Sequence, residues 1–235
     1  MQQENLFLNS SAIVKGILES EFKFSHEVYG EGFYTFYINI SRLSEATDSL
    51  PVIISERLID RSLLKIGAKV SITGQIRSYN NYSEETKRNK LILTIFAREL
   101  EIIEDNNISN PNEIELNGYV CKTPVYRMTP FGREIADILL AVNRSYNKSD
   151  YIPCIAWGRN ARFSGNLKVG DKIKVWGRMQ SREYQKKLEN GSVLEKTAYE
   201  VSISKLEYDK KQANDVEIVE SDIKNDIESD IESAV

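Results

Sequence analysis

Lys69-Val70-Ser71-Ile72-Thr73-Gly74 returns 103 residues later as Lys172-Ile173-Lys174-Val175-Trp176-Gly177. Val70 and Ile72, like Ile173 and Val175, fall at every second position, the period of a strand with one buried face. The glycine closing each hexad suits a point where a strand bends sharply, because a side chain there would obstruct the curvature of a small barrel. The correspondence extends in both directions. Gly16 meets Gly118, Gly30 meets Gly132, Arg42 meets Arg144 and Pro51 meets Pro153 at an offset of 102, and Gly67 meets Gly170 after one inserted residue. Such a unit is too long for a solenoid repeat and about right for a small domain, so residues 10–103 and 112–207 read as two copies of one fold.

Each copy parses into five strands, at about 10–22, 33–41, 51–55, 68–79 and 90–103, then at about 113–122, 134–144, 151–157, 171–182 and 194–206. A segment long enough for one or two helical turns, Glu56 to Leu64 or Arg159 to Leu167, separates strands three and four in each. That order is the order of the OB-fold barrel. The expected class is therefore all-β: two tandem five-stranded OB-fold barrels at 1–105 and 113–207, a polar linker at 106–112, and an acidic disordered tail from 208 to 235. In the tail, Asp222-Ile223, Asp226-Ile227 and Asp230-Ile231 recur every four residues, so a helix with an isoleucine stripe, formed on a partner, is an alternative to plain disorder.

With 235 residues and 41% hydrophobic content, the chain can bury two modest, separate cores. No apolar run is long enough to cross a bilayer, and the first residues lack the basic flank and apolar stretch of a signal peptide. A cytoplasmic, nucleoid-associated protein with no membrane contact is expected. Cys121 and Cys154 sit in apolar strand-like stretches, where buried inert thiols are the expectation. With His26 as the sole histidine, a Cys/His zinc site lacks ligands, and no cofactor is expected. His26 itself reads as a solvated loop imidazole. The net charge of −4 hides an uneven distribution: 12 basic against 15 acidic residues over 1–112, 16 against 11 over 113–207, and 3 against 9 over 208–235. The second copy is basic and the tail acidic.

Single nucleic-acid strands are held by aromatic rings that stack on bases, interleaved with cations that follow phosphates. The second copy offers that mixture: Tyr146 after strand two, Tyr151 and Trp157 bracketing strand three, and Tyr184 at the head of the hairpin joining strands four and five. Arg127, Arg133, Arg144, Arg159, Arg178 and Arg182 lie near them in sequence. A barrel-capping role competes for Trp157. Trp176 shares a strand face with Lys172, Lys174 and Arg178, where it could stack on a base or anchor a subunit contact.

Gly118-Tyr119-Val120, Pro124, Arg127, Thr129-Pro130-Phe131-Gly132, Leu140-Ala141-Val142, Tyr151, Trp157-Gly158-Arg159, Val169-Gly170, Gly177-Arg178 and Tyr199-Glu200-Val201 together resemble the bacterial single-stranded DNA-binding protein family. The resemblance covers the whole second copy. It implies that Tyr146, Tyr151, Trp157 and Tyr184 are base-stacking rings and that Arg127, Arg159 and Arg182 contact phosphates. It implies no enzymatic activity, and a function in protecting single-stranded DNA during replication, recombination and repair. It further implies a homodimer presenting four barrels. Family tails end in a Pro-Phe tip that docks on replication and repair proteins. Here the sequence given ends Ile231-Glu232-Ser233-Ala234-Val235, acidic but without that tip.

The first copy keeps the skeleton and loses these side chains: Ser44, Ser49, Ser55 and Asn81 stand where Tyr146, Tyr151, Trp157 and Tyr184 stand in the second. A role in assembly is the expectation for it. Its cluster Phe33, Tyr34, Phe36, Tyr37 could offer a displaced stacking surface, although strand alternation buries half of such a run. Two other function classes compete. A primosome or replisome accessory module would use the barrels chiefly to hold proteins. An enzyme, such as a nuclease, would need a nucleophile with a base, a phosphate loop or a carboxylate cluster, and none is written outside the tail.

Overall fold

The computed structural model describes residues 9–209 apart from 43, 45, 60–63, 84–87, 105–109, 145–147 and 188–192. The expected acidic tail therefore lies, beyond Asp209, outside the described residues. In chain order the first half holds β1 (Ser10–Leu18), β2 (Lys23–Val28), β3 (Glu31–Ser41), β4 (Thr47–Ser55), a 3-10 turn at Glu56–Leu58, β5 (Lys69–Ser83) and β6 (Arg88–Ile102). The second holds β7 (Asn112–Val120), β8 (Val125–Met128), β9 (Glu134–Arg144), β10 (Lys148–Trp157), α1 (Arg159–Ser164), β11 (Lys172–Lys187) and β12 (Val193–Tyr208).

Both halves close in the same order. β1 pairs with β3, β3 with β4, β4 in parallel with β6, β6 with β5, and β5 again with β1. β7, β9, β10, β12 and β11 repeat that ring. These are two OB-fold barrels. Closure depends on Gly74 and Gly177, where the β5–β6 and β11–β12 registers shift. A Cβ at Gly74 would stand 2.2 Å from the Phe96 carbonyl oxygen, and one at Gly177 2.1 Å from that of Ser202.

The hairpin strands β2 and β8, packed on β3 and β9, are additions to the five-strand expectation. Their pattern was invisible in the sequence because nearly every residue in them is exposed, so no apolar alternation marks them. Two expected boundaries also move. β7 begins at Asn112, inside the expected linker, because Asn112 Oδ1 accepts from Met179 N at 2.9 Å and its Nδ2 donates to Met179 O at 2.7 Å. β12 runs through Tyr208, whose hydroxyl donates to Asp171 at 3.0 Å.

The two cores are not separate. Buried Ala12, Val14, Ile114 and Leu116 make them one continuous apolar cluster, because β1 and β7 pair with each other across the halves. Ala12 lies opposite its own repeat equivalent, Ile114, so Ser10 meets Leu116 and Val14 meets Asn112. The register is that of a two-fold contact between two copies of one strand. Buried carboxylates lock the junction symmetrically. Asp48 accepts from the backbone N–H of Ser181 at 2.7 Å, and its equivalent Asp150 accepts from that of Ser78 at 2.7 Å.

Candidate nucleic-acid interface

Alternation along β10 puts Tyr151 and Trp157 on the outward face, against inward Ile152 and Cys154. Two pairings carry that face across the sheet: Ile155 with Ser202, and Ser202 with Arg178. Continuing along β11 at every second residue, it includes Arg182 and Tyr184. Tyr151 and Tyr184 are half-buried, and Trp157 remains 37% exposed while its indole N–H donates to Ser202 Oγ at 3.1 Å. The Arg182 guanidinium lies 5.8 Å from the centre of the Tyr184 ring. Tyr151, Trp157 and Tyr184 therefore share one curved surface. Tyr146 lies outside the described residues.

The six arginines divide. Arg133, Arg159 and Arg182 are exposed, at the β8–β9 turn, the first turn of α1 and β11 respectively. Arg127 is on the same surface but bridges Asp137 at 2.7 Å. Arg144 and Arg178 turn to the junction between barrels, facing Asp150 at 3.5 Å and Asp48 at 3.4 Å. Burial, and then the neighbouring Arg42, lower the pKa of Arg178. Trp176 is likewise committed. Its ring carries Lys205 at 4.3 Å and Lys174 at 4.8 Å, and its indole N–H donates to Glu115 at 2.8 Å.

Phe131 is a residue that sequence reading did not single out as a site. It is 91% exposed at the tip of the β8–β9 hairpin. The tip is rigidly tied: Thr129 N donates to Arg133 O at 2.8 Å, Gly132 N to Thr129 O at 2.9 Å, and Arg133 N to Thr129 Oγ1 at 3.0 Å, with Gly132 at φ 73°. Thr129, Phe131, Arg133 and Trp157 line an open cavity of about 480 Å³. An apolar residue beside the glycine of a tight turn, where polar residues are usual, was the available signal.

Neither thiol is poised for chemistry. Burial pushes Cys121 up to about 12 and Cys154 higher still, so both stay protonated. Among the described residues, no group of three or more His, Cys, Asp or Glu side chains could hold a metal ion, and no helix is long and apolar enough to cross a membrane.

Residues 111–209 match the model of the Single-strand binding protein family. Over 81 residues the chain is 38% identical to Single-stranded DNA-binding protein A of Bacillus subtilis, covering 32% of this chain and 47% of the relative. It is equally 38% identical over 81 residues to Single-stranded DNA-binding protein 1 of Staphylococcus aureus, with 32% and 48% covered. The chain thus spans about half the length of the curated relatives it matches. The crystal structure of the wild-type single-stranded DNA binding protein from Thermus aquaticus superposes with a TM-score of 0.68 at 19% identity, over 87% of this chain and 94% of that one. That superposition shows the shared two-barrel fold.

Proposed function

We propose, from the match of residues 111–209 to the Single-strand binding protein family, that this protein binds single-stranded DNA without strong sequence preference and without covalent chemistry. One observation carries the reading: Tyr151, Trp157 and Tyr184 share the outward face of the second barrel, with Arg133, Arg159 and Arg182 exposed around them. Rings supply stacking that every base can use, and guanidinium groups follow the phosphates. Phe131, held opposite Trp157 across an open cavity, adds a further ring that meets solvent on nearly all sides. Protection of unpaired strands during replication, recombination and repair is the role that such binding serves.

The same reading gives the chain a homodimeric state with four barrels. The outward face of β1 carries half-buried Ile13 and exposed Ile17, apolar surface suited to a second copy. Light scattering should return twice the 26.9 kDa chain mass. Contacts of the acidic tail with replication and repair proteins belong to the proposal too.

The decisive experiment is titration of the full chain with oligo-dT at several salt concentrations. Trp157 fluorescence should be quenched, and three phosphate contacts give a slope of log K on log salt of about −2. Unchanged fluorescence together with salt-independent affinity would overturn the reading.

A further inference from the structure

The first barrel lacks rings where the second has Tyr146, Tyr151, Trp157 and Tyr184, although Tyr29 stands in the place of Phe131, and its groove is not bare. In the second barrel Trp157 leans from β10 onto Ser202 of β12. The first barrel holds the same parallel contact in the same register, Val52 with Ile95 and Ile53 with Phe96, where the second has Cys154 with Val201 and Ile155 with Ser202. At the two equivalent places stand Ser55 and Phe96. Serine and aromatic ring have exchanged strands.

Phe96 is only half-buried, and other rings extend it. Phe33, from the adjacent outward face of β3, lies 5.8 Å away centre to centre. His26, exposed on β2, stacks on Phe33 at 5.0 Å and 7°. Cations flank the rings. The Arg77 guanidinium is 6.0 Å from the Phe96 centre. Arg77 and Arg98 both donate to Gln75 Oε1, at 2.6 and 3.2 Å, while Arg77 also bridges Asp150 at 3.1 Å. Converging on one carboxamide oxygen, the two guanidinium groups bring positive charge to the β5–β6 side of the rings, with Arg77 tied to Asp150 and Arg98 adding a second cation that an anion would stabilise. At the other end of the groove the charge is reversed. Glu31 replaces Arg133, accepts from Ser55 Oγ and bridges Arg57 at 3.2 Å. The β4 end, where Glu31 and Arg57 compensate each other, therefore attracts phosphates less than Arg133 does in the second barrel, and the path favours β5 and β6.

We propose that His26, Phe33 and Phe96, with Arg77 and Arg98, form a second nucleobase site on the first barrel, onto which a strand held by the second barrel continues. The proposal rests on the single-strand reading above. It gives the first barrel a ligand contact in addition to assembly, with its stacking surface displaced from β4 to β2, β3 and β6.

Both tryptophans, Trp157 and Trp176, belong to the second barrel, so tryptophan quenching reports that barrel alone. The test compares the full chain with its His26→Ala/Phe33→Ala variant and, separately, Arg98→Gln. An oligo-dT of about 8 nucleotides, near the span of one barrel, and one of about 35 nucleotides are the probes. The expected result is an unchanged short-oligomer titration. The long oligomer should bind about 5- to 30-fold more weakly to the double variant and cover fewer nucleotides. Arg98→Gln should reduce the salt slope for the long oligomer by about 1. Unchanged long-oligomer affinity and site size would overturn the proposal, as would equal weakening on both oligomers with a lowered melting temperature, which marks a purely structural role. If the short oligomer fails to quench the unmodified chain, the parent reading falls and takes this one with it.

Discussion

Trp157 and Trp176 show how neighbouring charge decides what an outward indole can do. The face of Trp176 is occupied by Lys174 and Lys205 and its N–H by Glu115. The Trp157 N–H donates to Ser202 Oγ while its ring borders an open cavity with Phe131. Trp157→Ala and Tyr151→Ala should each weaken oligo-dT binding by about 5- to 150-fold, the range of one lost stack, whereas Trp176→Phe should leave affinity unchanged and remove background fluorescence. Phe131→Ala should weaken binding within the same range, and Phe131→Leu should restore little, because leucine supplies area without a π face. Fluorescence anisotropy with labelled dT measures all five variants. The strand face that Tyr151, Trp157 and Tyr184 occupy was legible in the sequence, because alternation fixes it. The turning of Arg144 and Arg178 to the junction was not. Arg178 is drawn to Asp48, 130 positions away in sequence, and no local pattern announces a carboxylate arriving from the other barrel.

At the level of strands, the repeated hexads carried most of the information, since buried Val70 and Ile72 and buried Ile173 and Val175 alternate as written. What escaped were hairpins with no buried face, as in β2, and the exchange of Ser and Phe across β4 and β6, which exists only once those strands are paired. The bulge glycines give the strongest stability prediction. Gly177→Ala drives a methyl group into the Ser202 carbonyl, and overpacking of that kind costs about 1–3 kcal/mol. For a chain of this size, the melting temperature should fall by about 2–10 °C. Gly132→Ala, with open space around its Cβ but φ at 73°, should cost only about 1 kcal/mol. It should act mainly through the Phe131 tip, raising the dissociation constant for dT more than it lowers the melting temperature.

The two barrels behave as one body because the repeat supplies both halves of a two-fold contact. β1 pairs with β7 about Ala12 and Ile114, and on either side a buried aspartate caps a backbone N–H of the opposite barrel. Asp48 is 1% exposed and also receives Arg42, with Nη2 at 2.6 Å. Burial pushes its carboxyl up, but the hydrogen bonds from Arg42 and Ser181 and the charge of Arg42 outweigh burial, leaving the pKa below the ordinary 3.8. A carboxyl lowered by folding stabilises the folded state above its unfolded pKa. That contribution is lost as pH falls through 3.8 toward the lower folded-state value. The unmodified chain should therefore lose melting temperature progressively below about pH 5, part of the loss coming from this junction. Asp48→Asn keeps an acceptor for Ser181 N but removes the titration, so its melting temperature should start lower at neutral pH and decline less steeply in acid. Asp48→Ala leaves Arg42 and the Ser181 N–H without their partner and should cost about 3–5 kcal/mol at neutral pH. Calorimetry across pH 3 to 7 separates the variants. Parallel pH curves for the unmodified chain and Asp48→Asn would mean that the charge of Asp48 contributes nothing to holding the barrels together.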